Sequence, residues 1–314
     1  MSGRFLFLFL TLVVTVGGLA IYRLEDRASS EEGKAESVQS ATNRSSQPAR
    51  VEAIGLGPSG STAPVTVNMA HQSRFDASED LRALVDQLQA ASAGGDGTAT
   101  RLIGKAYEEC FIVALNGLAS FQRDQEHRLK LEADQQAREG TALAFARVAQ
   151  RCAGFNGDAL KLTQVEAMRD KAASQGNLAA IAEQFRHRMV AGEAAYGAKE
   201  QADLARRILA SKDPEAVAAM AELMGDVAAS RTSDLAPFPA GSTRAEAAWQ
   251  LAACDLGRNC GVQGSYLSTV CVSVGLGCRS STVQDLYRRE LLPPAEFEKA
   301  RQLAGQLVSY GRQK

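Results

Sequence analysis

The 314 residues carry 35 basic and 36 acidic side chains, a formal charge of −1, so composition supplies no bulk attraction to nucleic acid and argues against a nucleic-acid partner. Aromatics make up only 6% of the chain and Trp249 is its single tryptophan, while Ala, Leu, Gln, Arg and Glu are plentiful. That balance favours helices packed closely through small side chains, and an all-α fold is the expectation.

The chain opens on FLFLFLTLVVTVGGLAIY, Phe5 to Tyr22, an uncharged run preceded by Arg4. At about 1.5 Å per residue it reaches roughly 27 Å, just enough to span a bilayer core of about 30 Å. Residues 1–22 therefore read as an uncleaved membrane anchor with Tyr22 at the interface, or as a secretory signal cleaved after Ala20, where Gly18 and Ala20 are the small residues a peptidase requires. The first reading gives a single-pass inner-membrane protein with its C-terminal part in the periplasm, and the second a periplasmic protein. Residues 23–75 follow as a polar, Ser-rich stretch broken by Pro48, Pro58 and Pro64, with too little apolar surface to offset the entropy of folding. They are expected to form a disordered linker with a root-mean-square span of about 40 Å.

Helical periodicity begins at Asp76, which with Glu79 reads as a capping box ahead of Leu81, Leu84, Val85 and Leu88. Ala93 to Gly97 ends that helix. A second, about Thr98 to Leu115, carries Leu102, Ile103, Ala106, Cys110, Phe111 and Ala114 on one broad face before Asn116 and Gly117. Asp124 to Arg138 is highly charged and reads as a solvated helix that Gly140 breaks. Thr141 to Ala153 resumes the apolar spacing through Leu143, Phe145, Val148 and Cys152. Four further helices are expected at about 157–175, 177–191, 198–211 and 214–228. The loop 230–242, with Pro237, Pro239 and Gly241, separates a helical domain at 76–229 from a Cys-rich helical unit at 243–314. That unit should hold a helix at about 243–256, a hairpin to Cys278, a short helix near 283–291, and a last helix started by Pro294 with Phe297, Ala300, Leu303, Leu307 and Val308 on one face.

Ala172-Ala173-Ser174-Gln175-Gly176-Asn177-Leu178-Ala179 corresponds to Leu209-Ala210-Ser211-Lys212-Asp213-Pro214-Glu215-Ala216 at an offset of 37 residues. This pattern resembles the SEL-like relatives of tetratricopeptide repeats and implies stacked helical hairpins over about 60 residues, from Lys161 to Gly225. A generic antiparallel hairpin accounts for the same small residues. AAWQLAACDLGRNCG and PPAEF look similar to the tails of exported proteobacterial proteins, a resemblance that brings no activity with it.

The six cysteines are the most specific signal. Export would place them where disulfides form, and they divide into a pair, Cys110 and Cys152, and a cluster, Cys254, Cys260, Cys271 and Cys278. Cys110 and Cys152 lie on apolar helix faces and are expected to bridge. In the cluster, a hairpin folded about residues 262 and 263 pairs Cys254 with Cys271 and Cys260 with Cys278; pairing of neighbours is the rival. Zinc fits the spacings poorly, and no Cys-x-x-Cys redox motif is present.

His71 falls in the linker, His127 in the charged segment, and His187 one turn after Glu183, where a solvated helix explains it more simply than a metal or proton site. Glu108 and Glu109 diverge on a helix. No catalytic set, cofactor motif or metal set is legible. The sequence thus reads as a membrane-tethered binding or scaffold protein whose partners are the membrane and another envelope protein or peptide, or alternatively as a hydrolase of an envelope polymer whose carboxylates only the fold brings together. A groove gathering two carboxylates without basic partners would favour the hydrolase, and a groove of small and apolar residues would favour a peptide partner.

Overall fold

A computed structural model describes residues 69–157, 160–191 and 197–310. These residues are helical, with no strand among them beyond one isolated bridge between Gly261 and Thr282. The apolar run at residues 5–22 and the linker up to residue 68 lie outside the described residues. No helix among the described residues is long and apolar enough to cross a membrane.

Order begins earlier than the sequence suggests. Helix α1, Met69–Ala77, takes up the last part of the expected linker because Phe75 is buried in a core. The expected capping box at Asp76 and Glu79 is not formed. Asp80 is the cap of α2, Leu81–Ala93, its side chain accepting from the amides of Arg82 and Ala83. Asp96 does the same for α3, Gly97–Asn116. Helix α4 runs Leu118–Leu131, and Asp134 caps α5, Gln135–Cys152. The charged segment is therefore two helix ends rather than one helix.

Gly140, expected to break a helix, lies inside α5. Its hydrogen lets the chain at Cys278 come so close that a Cβ there would sit 1.5 Å from the Cys278 carbonyl oxygen. The close crossing outweighs the roughly 1 kcal/mol that glycine costs inside a helix.

The two expected hairpins are present as α6, Leu162–Ser174, with α7, Leu178–Val190, and α8, Ala198–Ser211, with α9, Pro214–Met224. Their caps, Asn177 and Asp213, correspond one residue out of register with the sequence match. Helix α9 packs on α7 more than on its own partner α8. The remaining helices are α10, Thr243–Asp255; α11, Ser265–Val274; α12, Val283–Leu286, which runs into a π-turn at Tyr287–Leu291; and α13, Pro294–Tyr310.

Apolar packing forms two cores. The first joins α1 to α5 around Leu88, Leu102, Ile103, Phe145 and Phe155. The second joins α7 to α13 around Ile208, Met220, Trp249 and Tyr287. Between them the helices form a row in which α2 packs on α3, α3 on α6, α6 on α7, α7 on α9, α9 on α10 and α10 on α13. The loop 230–242 does not separate the cores, since Leu235 and Phe238 are buried in the second. One element leaves its neighbours: α11 turns back to pack on α5, and its Cys271 and Val272 belong to the first core.

Arg151 of α5 is 1% exposed and Glu109 of α3 is 9% exposed. They pair in parallel, with Nε to Oε1 at 2.6 Å and Nη2 to Oε2 at 3.1 Å. The same guanidinium donates to the carbonyls of Phe75 at 3.0 Å and Ser78 at 2.6 Å, and to the Ser265 hydroxyl at 3.3 Å. It therefore ties α1, α3, α5 and α11 together.

The Cys110–Cys152 bridge, between the residues that follow Glu109 and Arg151, is formed as expected. Closing its 42-residue separation stabilises by about 4 kcal/mol in the chain-entropy account. The cluster pairs differently from the hairpin expectation: Cys254 bonds Cys260 and Cys271 bonds Cys278. The physical reason is that α11 points away to α5, which separates Cys254 from Cys271, while each cysteine at a helix end meets the one just beyond the turn. These short loops contribute about 2 kcal/mol each by the same account.

In the second core, Glu246 in the first turn of α10 accepts from the Tyr287 hydroxyl at 3.1 Å. Burial, then the negative charges of Glu222 and Asp226, push its carboxyl up to about 7.

Two outcomes follow from these buried charges. Arg151→Met alone should destabilise the protein by about 3–5 kcal/mol, because Glu109 is left buried and unpaired, whereas Glu109→Leu with Arg151→Met should recover most of that loss; urea unfolding of the two variants checks it. A carboxyl with a raised folded pKa holds its proton more tightly in the folded state. Its contribution to stability is full below the ordinary carboxylate range and disappears as pH rises through about 7. Urea unfolding at pH 5 and pH 8 should show a fall of about 2 kcal/mol that Glu246→Gln reduces; an equally steep fall in the variant would assign it to other groups.

Candidate functional site

The return of α11 onto α5 leaves a groove of about 370 Å³ between the two helices. One side of it is small or apolar, with Gly140, Ala144, Leu267 and the Cys271–Cys278 bridge, and the rest is polar, with Gln150, Gln263 and Ser280 beside the charged Glu79, Arg147 and Arg151. Leu143, on α5, and Val262, in the turn before α11, stand at its edges with 69% and 51% of their surface exposed. A volume of this size lies within the range of ordinary ligand pockets.

Core packing of Cys271 and Val272 holds α11 on α5, and polar contacts join the two sides around the groove. Arg128 of α4 donates to the Val272 carbonyl at 2.7 Å, and Gln136 of α5 to the Arg279 carbonyl at 3.0 Å. Arg147, one turn after Leu143, donates from Nη1 to Gln263 Oε1 at 3.0 Å and from Nη2 to the carbonyls of Asp76, at 3.1 Å, and Gln263. Its partners are neutral oxygens, and no carboxylate among the described residues forms an ion pair with it. Its Nε is buried with no acceptor. Burial and the neighbouring Arg151 push the Arg147 guanidinium down from its ordinary range, though an arginine remains cationic throughout the physiological range. The groove therefore combines a small, apolar stretch with a guanidinium, Arg147, that has no ion pair, although the carboxylates of Asp76 and Glu109 act on it from further away.

No family model, curated protein or solved structure matches the chain.

A second depression, of about 220 Å³, adjoins a lobe of about 90 Å³; they share Arg101, Lys105, Glu215, Arg258 and Tyr266. Here the charges answer one another. Arg101 donates to Glu183 from Nε at 3.2 Å and Nη2 at 2.8 Å and stands 3.6 Å from Glu215. Arg258 meets Glu215 at 3.3 Å, donates to Gln250 at 2.6 Å and lies over the Tyr266 ring. Burial opposes the charge on Glu215, but Arg258 and Arg101 outweigh it and hold the carboxyl below its usual range. Lys105 pairs with Glu108 at 2.8 Å and Arg186 with Glu222 at 2.7 Å. Asp76 differs: it accepts from Gln72 at 3.1 Å, and burial followed by the charge of Glu215 pushes its carboxyl up to about 6. The other carboxylates facing this depression, Glu108, Glu109, Glu215 and Glu222, each have a cationic partner.

The residues singled out from sequence are dispersed. His71 is not in a linker but in α1, 3.4 Å from Asp96. His127 is exposed on α4, and Glu183, the acid one turn before His187, is engaged by Arg101. Glu108 and Glu109 diverge, one to Lys105 and one to Arg151. Among the described residues no group of three or more His, Cys, Asp or Glu could hold a metal ion. Arg147 had no distinguishing sequence signal, since its setting depends on contacts with residues 76 and 263.

Gly140→Ala tests how the groove is built. In an isolated helix the change stabilises by about 1 kcal/mol, but here it should destabilise by about 2 kcal/mol because the Cys278 backbone must move. Thermal melting gives the sign directly, and a more stable variant would rule out the close crossing.

Proposed function

We propose that the chain is a membrane-tethered helical binding protein of the cell envelope, and that its groove takes an extended segment of another envelope protein. The observation carrying this reading is the groove along α5, whose small and apolar stretch at Gly140, Ala144 and Leu267 is edged by the exposed Leu143 and Val262. Backbone approach needs small walls, and exposed aliphatic edges gain most from a partner. The three disulfides support an oxidising compartment, and the apolar run at residues 5–22 supports tethering. The hydrolase alternative needs two carboxylates without basic partners across one cavity. In the second depression Asp76 meets that condition, while the other acids facing it are neutralised by arginine or lysine.

The test uses the full chain with its disulfides intact, in mild detergent, titrated with a fluorescein-labelled pool of degenerate hexapeptides and read by anisotropy. Leu143→Asp should weaken binding at least tenfold, consistent with about 1.5–3 kcal/mol for a buried leucine side chain. Leu131→Asp, at an equally exposed leucine on α4 away from the groove lining, should leave it unchanged. Equal binding by the parent and Leu143→Asp would refute the groove as the binding site.

A further inference from the structure

Within the reading of the groove as a peptide site, we infer that it recognises the C-terminal end of a polypeptide, with the free α-carboxylate on Arg147 and an apolar last side chain between Leu143 and Val262. This deepens that reading and rests on it.

The inference starts from charge. Arg147 is half-buried, its hydrogen bonds go to Gln263 and the Asp76 carbonyl, and it has no ion pair among the described residues. The neighbouring Arg151 is different, its charge being matched by Glu109. A guanidinium set among neutral oxygens beside a cavity favours an anionic ligand, and the Nη1 hydrogen that Gln263 does not take is the donor left to meet one carboxylate oxygen. One acid, Glu79, lines the groove; it is exposed and forms no ion pair with Arg147.

Spacing then selects the kind of carboxylate. Leu143 and Arg147 are one turn apart on α5, so their Cβ atoms are about 5–6 Å apart. A C-terminal residue carries its carboxylate and its side chain on one Cα, which puts both groups within that span. An internal Asp or Glu in an extended segment has its adjacent side chains on the opposite face, and the next one on the same face lies about 7 Å away along the strand.

The test uses the full oxidised chain and three fluorescein-labelled hexapeptide pools: one ending in Leu or Val with a free carboxylate, the same pool amidated, and an amidated pool with an internal Glu beside Leu. The free acid should bind at least tenfold more tightly than either amidated pool. Arg147→Gln should bring the free acid down to the amide's affinity while leaving the amide unchanged, and Arg147→Lys should restore part of the difference. If amidation has no effect, the carboxylate assignment is wrong while the groove reading stands. If the internal-Glu pool matches the free acid, the terminal assignment is wrong. If no pool binds, both fall. The comparison of free acid with amide uses the parent protein, so it decides the matter even if substitution at Arg147 disturbs the rim.

Discussion

Everything in the first core depends on how one buried charge is accommodated. Taking an arginine out of water costs several kcal/mol unless its hydrogen-bonding capacity is met. Arg151 meets it by drawing in two carboxylate oxygens, two backbone carbonyls and a serine hydroxyl. Those partners belong to α3, to α1 and the turn after it, and to α11, so the demands of one side chain on α5 fix the relative positions of four helices. The Cys110–Cys152 bridge lies one residue further along the same two helices. The ion pair specifies the alignment of α3 and α5 and the covalent link holds it.

The second consequence is a division between two kinds of polar surface. Where the two cores face each other around Arg101 and Arg258, carboxylates neutralise the guanidinium groups, and the interior is electrically quiet apart from Asp76. Where α11 returns to α5, the connecting hydrogen bonds run from arginine and glutamine side chains to backbone carbonyls, which carry no charge. Arg147 is thus left without an ion pair beside the groove. The asymmetry follows from what α11 offers: a short apolar helix with no acidic side chain among its ten residues.

Much of the architecture was legible in local pattern, because helices declare themselves through spacing that extends over only a few residues. The faces of α2, α3 and α13 were readable from Leu81, Leu84, Val85 and Leu88, from Leu102, Ile103 and Cys110, and from Phe297, Ala300 and Leu307, all buried. So was the bridge between Cys110 and Cys152, since both residues lie on apolar faces. What failed were inferences requiring distant neighbours. Gly140 reads as a breaker unless the approaching Cys278 carbonyl is known. Asp76 and Glu79 match a capping pattern that Asp80 also supplies, and packing of Phe75 chose between them. A hairpin about residues 262 and 263 would pair Cys254 with Cys271, but the rival pairing of neighbours forms because α11 packs on α5, more than a hundred residues earlier in the chain. The groove was invisible for the same reason.

The corrected connectivity has a property that the expected one lacked: each cysteine is joined to the next one along the chain, 110 to 152, 254 to 260 and 271 to 278. A polypeptide delivered amino end first to an oxidant that couples each thiol with the next to arrive would reach the native set directly. Under that rule no wrong bond would have to be broken and reshuffled. The two small rings can close within a few residues of delivery, because short loops meet on a timescale of about 10–100 ns. The long one must wait until most of the first core has emerged, and it closes before the C-terminal thiols can compete for either partner. In such a delivery the order of arrival and the order of pairing coincide.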